Sequence, residues 1–246
     1  MCKSWTSSYP ILTSNCDLAG AWRPSAILEA CQEAAGVHSH QLGVGRLQLI
    51  HDRIVWVLIR GEVEMDRYPR IGETVEIETF HRPTRHWFFP RYFRIRSQET
   101  GEELGRCGSM WMLLNLDTRR SVPPGSVSSR MPDNSDMEPT LDHLPIQVQP
   151  LAADPEIIPY VPVYSDLDVN GHVNNARYMD LCCNALGIHC MESMQLKHFA
   201  INYHAEIRPD QDISLLLRRE DNRFSCTGMR DTEACFDICG ELAPRN

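Results

Sequence analysis

The segment DLDVNGHVNN, residues 166–175, crowds two aspartates, three asparagines and a histidine ahead of an apolar, helix-like run. Carboxylates and imidazoles are the side chains that most often move protons in catalysis. A carboxylate within hydrogen-bond reach of a water can draw a proton from it, more readily where partial burial lifts its pKa. An asparagine amide, both donor and acceptor, can orient that water or the carboxylate itself. In an extended chain Asp168, Asn170 and His172 share one side, because alternate residues face the same way. The same residues suit a plainer task. Asn170-Gly171 is a strong turn dipeptide, and Asn174 or Asn175 can cap the helix that follows.

The chain holds a second, altered copy of this stretch. A shift of 151 residues lays CDLAGAWRPSAILEACQEAAGVHS over LDVNGHVNNARYMDLCCNALGIHC, pairing Asp17 with Asp168, Gly20 with Gly171, Cys31 with Cys182, Gly36 with Gly187 and His38 with His189. The common offset predicts a duplication. Opposite Asn170 and His172 stand Ala19 and Ala21. A turn-and-cap role does not require losing both polar groups from one copy; one active site per chain does. The pairing of His38 with His189 favours a structural role for both.

Each copy predicts the same elements. A polar turn leads into a helix whose Ile27, Leu28, Cys31, Ala34, Ala35 and His38 fall at helical spacing, as do Tyr178, Met179, Cys182, Ala185, Leu186 and His189. Tyr178 lies on that apolar face and is expected in the core. Strand-like runs rich in β-branched and aromatic residues follow: residues 54–65, 74–80, 86–96 and 109–116, then 198–207, 212–219, 223–230 and 234–242. The expected fold class is α+β, a helix wrapped by an antiparallel sheet, built twice. Nine of the 16 prolines fall between Val122 and Pro162, marking a linker. The expected domains are 1–121 and 161–246, joined by residues 122–160.

The bulk numbers narrow the function classes. With 42% hydrophobic and 23% charged residues among 246, a packed core is expected. A formal charge of −9 argues against a general nucleic-acid binder. No apolar run approaches the roughly 20 residues of a membrane-spanning helix, so no membrane insertion is expected. The first residues lack an apolar h-region, which predicts a cytoplasmic protein, or a plastid-like one only if a transit peptide has been removed. Ten cysteines without a C-x-x-C motif read as reduced core thiols, and the absence of H-E-x-x-H argues against a metal or other cofactor. The segment HRPTRHWFFPRYFRIR is the basic patch, with Arg82, Arg85 and Arg91 among its five arginines: a docking surface, or a strand with solvated arginines. Trp56, Trp87 and Trp111 are candidates for lining a pocket, with ordinary core packing as the competing role.

The run DLDVNGHVNNARYMD resembles the signature of the acyl-acyl carrier protein thioesterases of plants and bacteria, a tandem hotdog family, and the similarity covers most of the chain. It implies two tandem hotdog domains, an acyl pocket shaped largely by the first, and an acyl chain borne on acyl carrier protein. It also implies catalytic roles for Asp168, Asn170 and His172, and for Glu206 in NYHAEIRPDQD, which matches the family's glutamate. Some members carry a cysteine after that glutamate; Ile207 stands here, so a cysteine nucleophile at that position is excluded. The implied chemistry is thioester hydrolysis. A thiol with a pKa of about 8.5 leaves readily, so the work lies in activating water and stabilising the oxyanion. Either Glu206 or Asp168 is the base. Backbone N–H groups of Val173, Asn174 and Asn175, at the helix start, are expected to polarise the carbonyl. Acyl carrier protein is acidic, so Arg82, Arg85 and Arg91 are candidates to meet it. The alternatives are hydrolysis of acyl-coenzyme A, a hotdog dehydratase, and a non-catalytic acyl-binding module. A homodimer stays open, since two hotdogs in one chain can already supply the usual pair.

Overall fold

The computed structural model describes residues 2–245. The first half carries β1 (Trp5–Pro10), α1 (Pro24–Gln41), α2 (Arg46–His51), β2 (Ile54–Met65), β3 (Thr74–His81), β4 (Phe89–Ser97) and β5 (Glu103–Asn115). A connection with β6 (Ser121–Val122) and α3 (Gly125–Ser128) leads into the second half. There follow β7 (Glu156–Tyr160), α4 (Arg177–Leu186), α5 (Ile188–Ser193), β8 (Met194–Tyr203), β9 (Ile213–Glu220), β10 (Arg223–Arg230) and β11 (Glu233–Pro244). Among the described residues no helix is long and apolar enough to cross a membrane.

The strands form one antiparallel sheet in the order β1-β3-β4-β5-β2-β8-β11-β10-β9-β7, with β6 on β5. Each half repeats the other's strand order, and the two meet where β2 pairs with β8, Arg60 opposite Asn202 through Glu64 opposite His198. The expected pair of domains is thus fused into a single sheet. Each half also gains an edge strand beyond the four expected, β1 and β7. Alternation sets which face is covered: Val75 and Ile77 of β3, and Ile213, Leu215 and Leu217 of β9, turn inward while their neighbours stay partly exposed. They join α1 and α4 in one core that runs across both halves, from Ile27 and Phe93 to Met179 and Phe236. Tyr178 stacks on Phe236 there, ring centroids 4.5 Å apart.

The duplication is visible in detail. The short helical turns Thr13–Asn15 and Tyr164–Asp166 lie 151 residues apart (164 − 13), as do the bridges Cys16–Trp22 and Leu167–Val173. Gly20 and Gly171 both take positive φ, 71° and 79°, which the turn needs and side-chain-bearing residues rarely adopt. The copies diverge at the helix. α1 runs straight through Gly36 for 18 residues, whereas Gly187, at φ 89° and ψ 154°, ends α4 and lets the chain restart as α5. That break corrects the paired role expected for two histidines: His38 is fully buried, and His189 is fully exposed.

The proline-rich connection is shorter than the expected 122–160, because residues 156–160 pair with β9 as an edge strand. What remains is pinned to the sheet's outer face. Leu141 packs on Phe80 and Tyr92, Thr140 Oγ1 donates to the Cys107 carbonyl at 3.1 Å, and Leu151 N–H donates to Ser225 Oγ at 3.0 Å.

Candidate functional site

The motif loop is held by its own polar groups. Asp168 N–H donates to the His172 carbonyl at 3.0 Å and Gly171 N–H to the Asp168 carbonyl at 3.0 Å, closing the turn. The Asp168 carboxylate accepts the Asn170 N–H at 2.8 Å and the Asn170 Nδ2 at 3.2 Å. His172 Nδ1 lies 3.4 Å from the Val173 carbonyl and 3.7 Å from Asp168 Oδ1. Both neighbours are acceptors, so Nδ1 carries the proton in the neutral ring and Nε2 is the open nitrogen.

One backbone bond brings the fourth residue alongside. Val173 N–H donates to the Ile207 carbonyl at 2.8 Å, docking the motif against the segment after β8. Residues 172 and 206 therefore sit beside a shared hydrogen bond. Burial pushes the Glu206 carboxyl up, but the Arg119 hydrogen bond at 2.9 Å, with the charges of Arg119, His172 and Arg208, outweighs it and holds the group below its ordinary value. Glu206 is therefore ionised at neutral pH. Its Oε1 is taken by Arg119; Oε2 has Arg208 Nη2 at 3.8 Å, too far for a hydrogen bond.

Two groups here went unread in the sequence. Arg119, in the turn after β5 with φ 55°, crosses from the first half to Glu206. Arg46, opening α2, donates to Asn170 Oδ1 at 3.2 Å. Asn170 thus bridges an arginine of one half and an aspartate of the other. Neither arginine belongs to the repeated segment, and among the described residues the second half has no helix matching α2 before β8, so comparing the copies gives no signal for them.

Arg46 also lines a cavity of about 130 Å³ in the first half, with Trp56, Phe89, Trp111, His81 and Arg91 among its walls. Trp56 and Trp111 stand where a pocket role was expected. Trp87 does not: it is 45% exposed in the β3–β4 loop and outside that cavity. The arginines of the basic patch do not share one surface. Arg91 points inward and is buried, and the Arg82 guanidinium is spent on the carbonyls of Asn134, Ser135 and Met137 in the connection. Arg94 is neutralised by Glu78 and Glu103. Arg85 lines a separate groove beside the connection.

The backbone donors need a second correction. Val173 spends its N–H on Ile207, and Asn174 N–H donates to the Asp166 carbonyl at 2.8 Å, both to hold the loop in place. The helix itself starts only at Arg177. Of the three expected donors, only Asn175 N–H is left without a partner among the described residues.

Among the described residues, Glu62, Glu64 and His198 place potential metal-ligating atoms within 4.8 Å of one another. Glu62 is already satisfied there, accepting from His198 Nε2 and from Ile146 N–H, each at 2.8 Å.

Comparison with known proteins follows the same division into halves. Residues 2–125 match the family described as acyl-ACP thioesterase N-terminal domain, and residues 151–234 match the acyl-ACP thioesterase C-terminal domain. A dodecanoyl-[acyl-carrier-protein] hydrolase, chloroplastic, of Cinnamomum camphora is 29% identical over 202 residues, covering 78% of this chain and 53% of that protein. A palmitoyl-acyl carrier protein thioesterase, chloroplastic, of Arabidopsis thaliana is 30% identical over 174 residues, covering 69% of this chain and 42% of that protein. The chain spans about half the length of the curated relatives it matches. The crystal structure of an acyl-ACP thioesterase from Bacteroides thetaiotaomicron superposes with a TM-score of 0.88 at 23% identity, covering 98% of each chain. The 12:0-ACP thioesterase of Umbellularia californica gives 0.84 at 24% identity, over 100% of this chain and 99% of that one. These two likenesses establish the tandem hotdog fold. By the match of both halves, this chain belongs to the acyl-ACP thioesterase family.

Proposed function

We propose that the protein hydrolyses the thioester of an acyl chain borne on acyl carrier protein and releases the free fatty acid. The observation that supports it best is the Val173–Ile207 hydrogen bond, which sets His172 beside an ionised Glu206 whose Oε2 is open. Glu206 Oε2 takes a proton from water as the water oxygen bonds to the acyl carbon. The carbon–sulfur bond then breaks, and the proton returns to the departing thiolate. Both Asp168 oxygens are occupied by Asn170, so Asp168 holds that amide and faces His172 rather than meeting water. His172 Nε2 is the nitrogen left for the water or the thioester. Asn175 N–H is the backbone donor for the oxyanion, a role whose loss typically costs roughly 3–4 kcal/mol in transition-state stabilisation. No cofactor enters this scheme.

The roles divide between the halves. The first (residues 1–121) lodges the acyl chain, with Trp56 and Trp111 on the cavity wall; the second carries the hydrolytic groups, and Arg46 and Arg119 join the two. The setting is the compartment where acyl carrier protein is charged, the cytoplasm in this reading. The test is thiol release from acyl carrier protein and from coenzyme A bearing the same acyl chain. Faster release from the protein carrier supports the reading. Preference for coenzyme A removes the carrier assignment, and enoyl product without thiol release removes hydrolysis.

A further inference from the structure

The cavity in the first half contains a buried cation that no carboxylate among the described residues neutralises. Arg91 of β4 is 5% exposed, and its guanidinium donates to His38 Nδ1 at 3.1 Å, Thr79 Oγ1 at 3.1 Å and Ser39 Oγ at 3.2 Å. All three acceptors are uncharged. His38 Nε2 faces the Cys2 carbonyl at 3.3 Å, so that nitrogen bears the proton and Nδ1 is bare to accept. Burial first, and then Arg91, pull both His38 and His81 down to about 4, so neither adds charge at neutral pH. Burial alone draws Arg91 down to about 10, with no acidic group among the described residues to oppose it.

The cavity wall is rich in donors and has no Asp or Glu. Two of its polar atoms are buried without partners: His81 Nε2, on a ring 4% exposed, and Gln32 Nε2. His81 Nδ1 faces the Arg82 carbonyl at 3.4 Å, so Nε2 is free to take a proton. A cavity meant only for hydrocarbon gains nothing from this arrangement, since an unpaired buried charge is among the costliest features a core can hold. Arg46, on the same cavity wall as Arg91, is exposed and donates to Asn170 Oδ1, so that wall links the motif loop to the buried cation.

We propose that this cavity receives acyl chains that end in a carboxylate, with the distal carboxylate paired to Arg91. The inference rests on the reading that the cavity lodges the acyl chain. The bound carboxylate accepts from the Arg91 guanidinium and from Gln32 Nε2, and its charge favours a proton on His81 Nε2 as a third donor. The preference is thus for ω-carboxyacyl over methyl-ended chains of equal length.

Calorimetric binding of octanedioic acid and of octanamide, whose head group is uncharged, to the full chain tests it. Charge-assisted pairing in a buried site predicts at least about tenfold tighter binding of the diacid. Arg91→Met removes that preference, and Arg91→Lys keeps part of it. The partners of Arg91 are uncharged, so its exchange for methionine leaves no counter-charge unpaired. Should the Met variant fail to fold, Gln32→Leu is the second variant, and it weakens the diacid preference. Equal binding of the diacid and the amide by the wild type, or a preference that survives Arg91→Met, overturns the inference. So does acetate binding as tightly as the diacid, which would make the site one for free anions. Thiol release from the matching pair of thioesters separates the two levels. If neither is hydrolysed, the proposed function fails while calorimetry still judges the cavity. If only methyl-ended chains are hydrolysed and the diacid binds no better, hydrolysis stands and the ω-carboxyl preference falls.

Discussion

Asp17 and Asp168 occupy the same place in the two copies and should fail in opposite ways when each is changed to asparagine. Asp17 Oδ1 accepts the N–H groups of Ala19 and Ala21, at 2.9 and 3.1 Å, and its Oδ2 meets Arg245 Nη2 at 2.5 Å, with side chains 17% and 12% exposed. An asparagine either keeps the two backbone contacts and turns its amide donor toward the arginine, or turns its uncharged oxygen there and loses both contacts. Removing one partner of a buried pair costs about 3–5 kcal/mol; residual exposure brings this to about 2–3 kcal/mol. For a chain of this size that lowers the melting temperature by roughly 4–12 °C. Asp168 has a longer contact, 3.7 Å to His172, and an asparagine there still accepts from the Asn170 N–H. Its stability loss should stay within about 1 kcal/mol.

Turnover should show the reverse. Asp168→Asn weakens the support of Asn170 and His172, with an expected loss on the order of 100-fold, the lower range for disturbing proton transfer. Asp17→Asn should turn over near the wild-type rate below its own melting range. Thermal denaturation paired with thiol release reads both quantities. The assignment of chemistry to one half is refuted if folded Asp17→Asn is inactive, or if Asp168→Asn loses stability alone.

Glu206→Gln should lower thiol release at least about 100-fold, and Asn170→Ala should also cut it severely; circular dichroism confirms that both remain folded. Placing Asn and His at Ala19 and Ala21 together should create no second activity in a Glu206→Gln background, as measured by thiol release. Arg119→Leu removes the hydrogen bond that holds Glu206 low, so the acid limb of the pH–rate profile should move to higher pH. The stability from that depressed carboxyl is present above its unfolded pKa and lost as pH falls through the folded one, and removing Arg119 should shrink that loss. Gly36→Ala should stabilise by roughly 0.5–1 kcal/mol, while Gly187→Ala, at φ 89°, should destabilise by roughly 1–2 kcal/mol; denaturant midpoints report both.

How far the sequence could be read depends on the range of each interaction. Strands 54–65 and 223–230 match β2 and β10 residue for residue, because their β-branched and aromatic runs act locally. The duplication was legible because its turns keep the same glycines at the same offset. The join of β2 to β8 was not, since nothing in either strand states that its edge will meet a partner 142 positions away (Arg60 to Asn202). Arg91 shows the other limit: alternation along β4 decides that one arginine of a basic run turns inward, and one residue of register reverses its meaning. Val173 and Asn174 were expected to offer free N–H groups to an oxyanion, but the loop needed both to fix itself.

The most direct test is a single-turnover reaction of acyl carrier protein thioester with excess enzyme in oxygen-18 water, for the wild type and for Glu206→Gln. Water attack assisted by Glu206 predicts heavy oxygen in the released fatty acid from the first turnover, none in the protein, and a drop of about 100-fold or more in rate for the variant. Unlabelled acid from the first turnover, or a folded variant that keeps the wild-type rate, contradicts it.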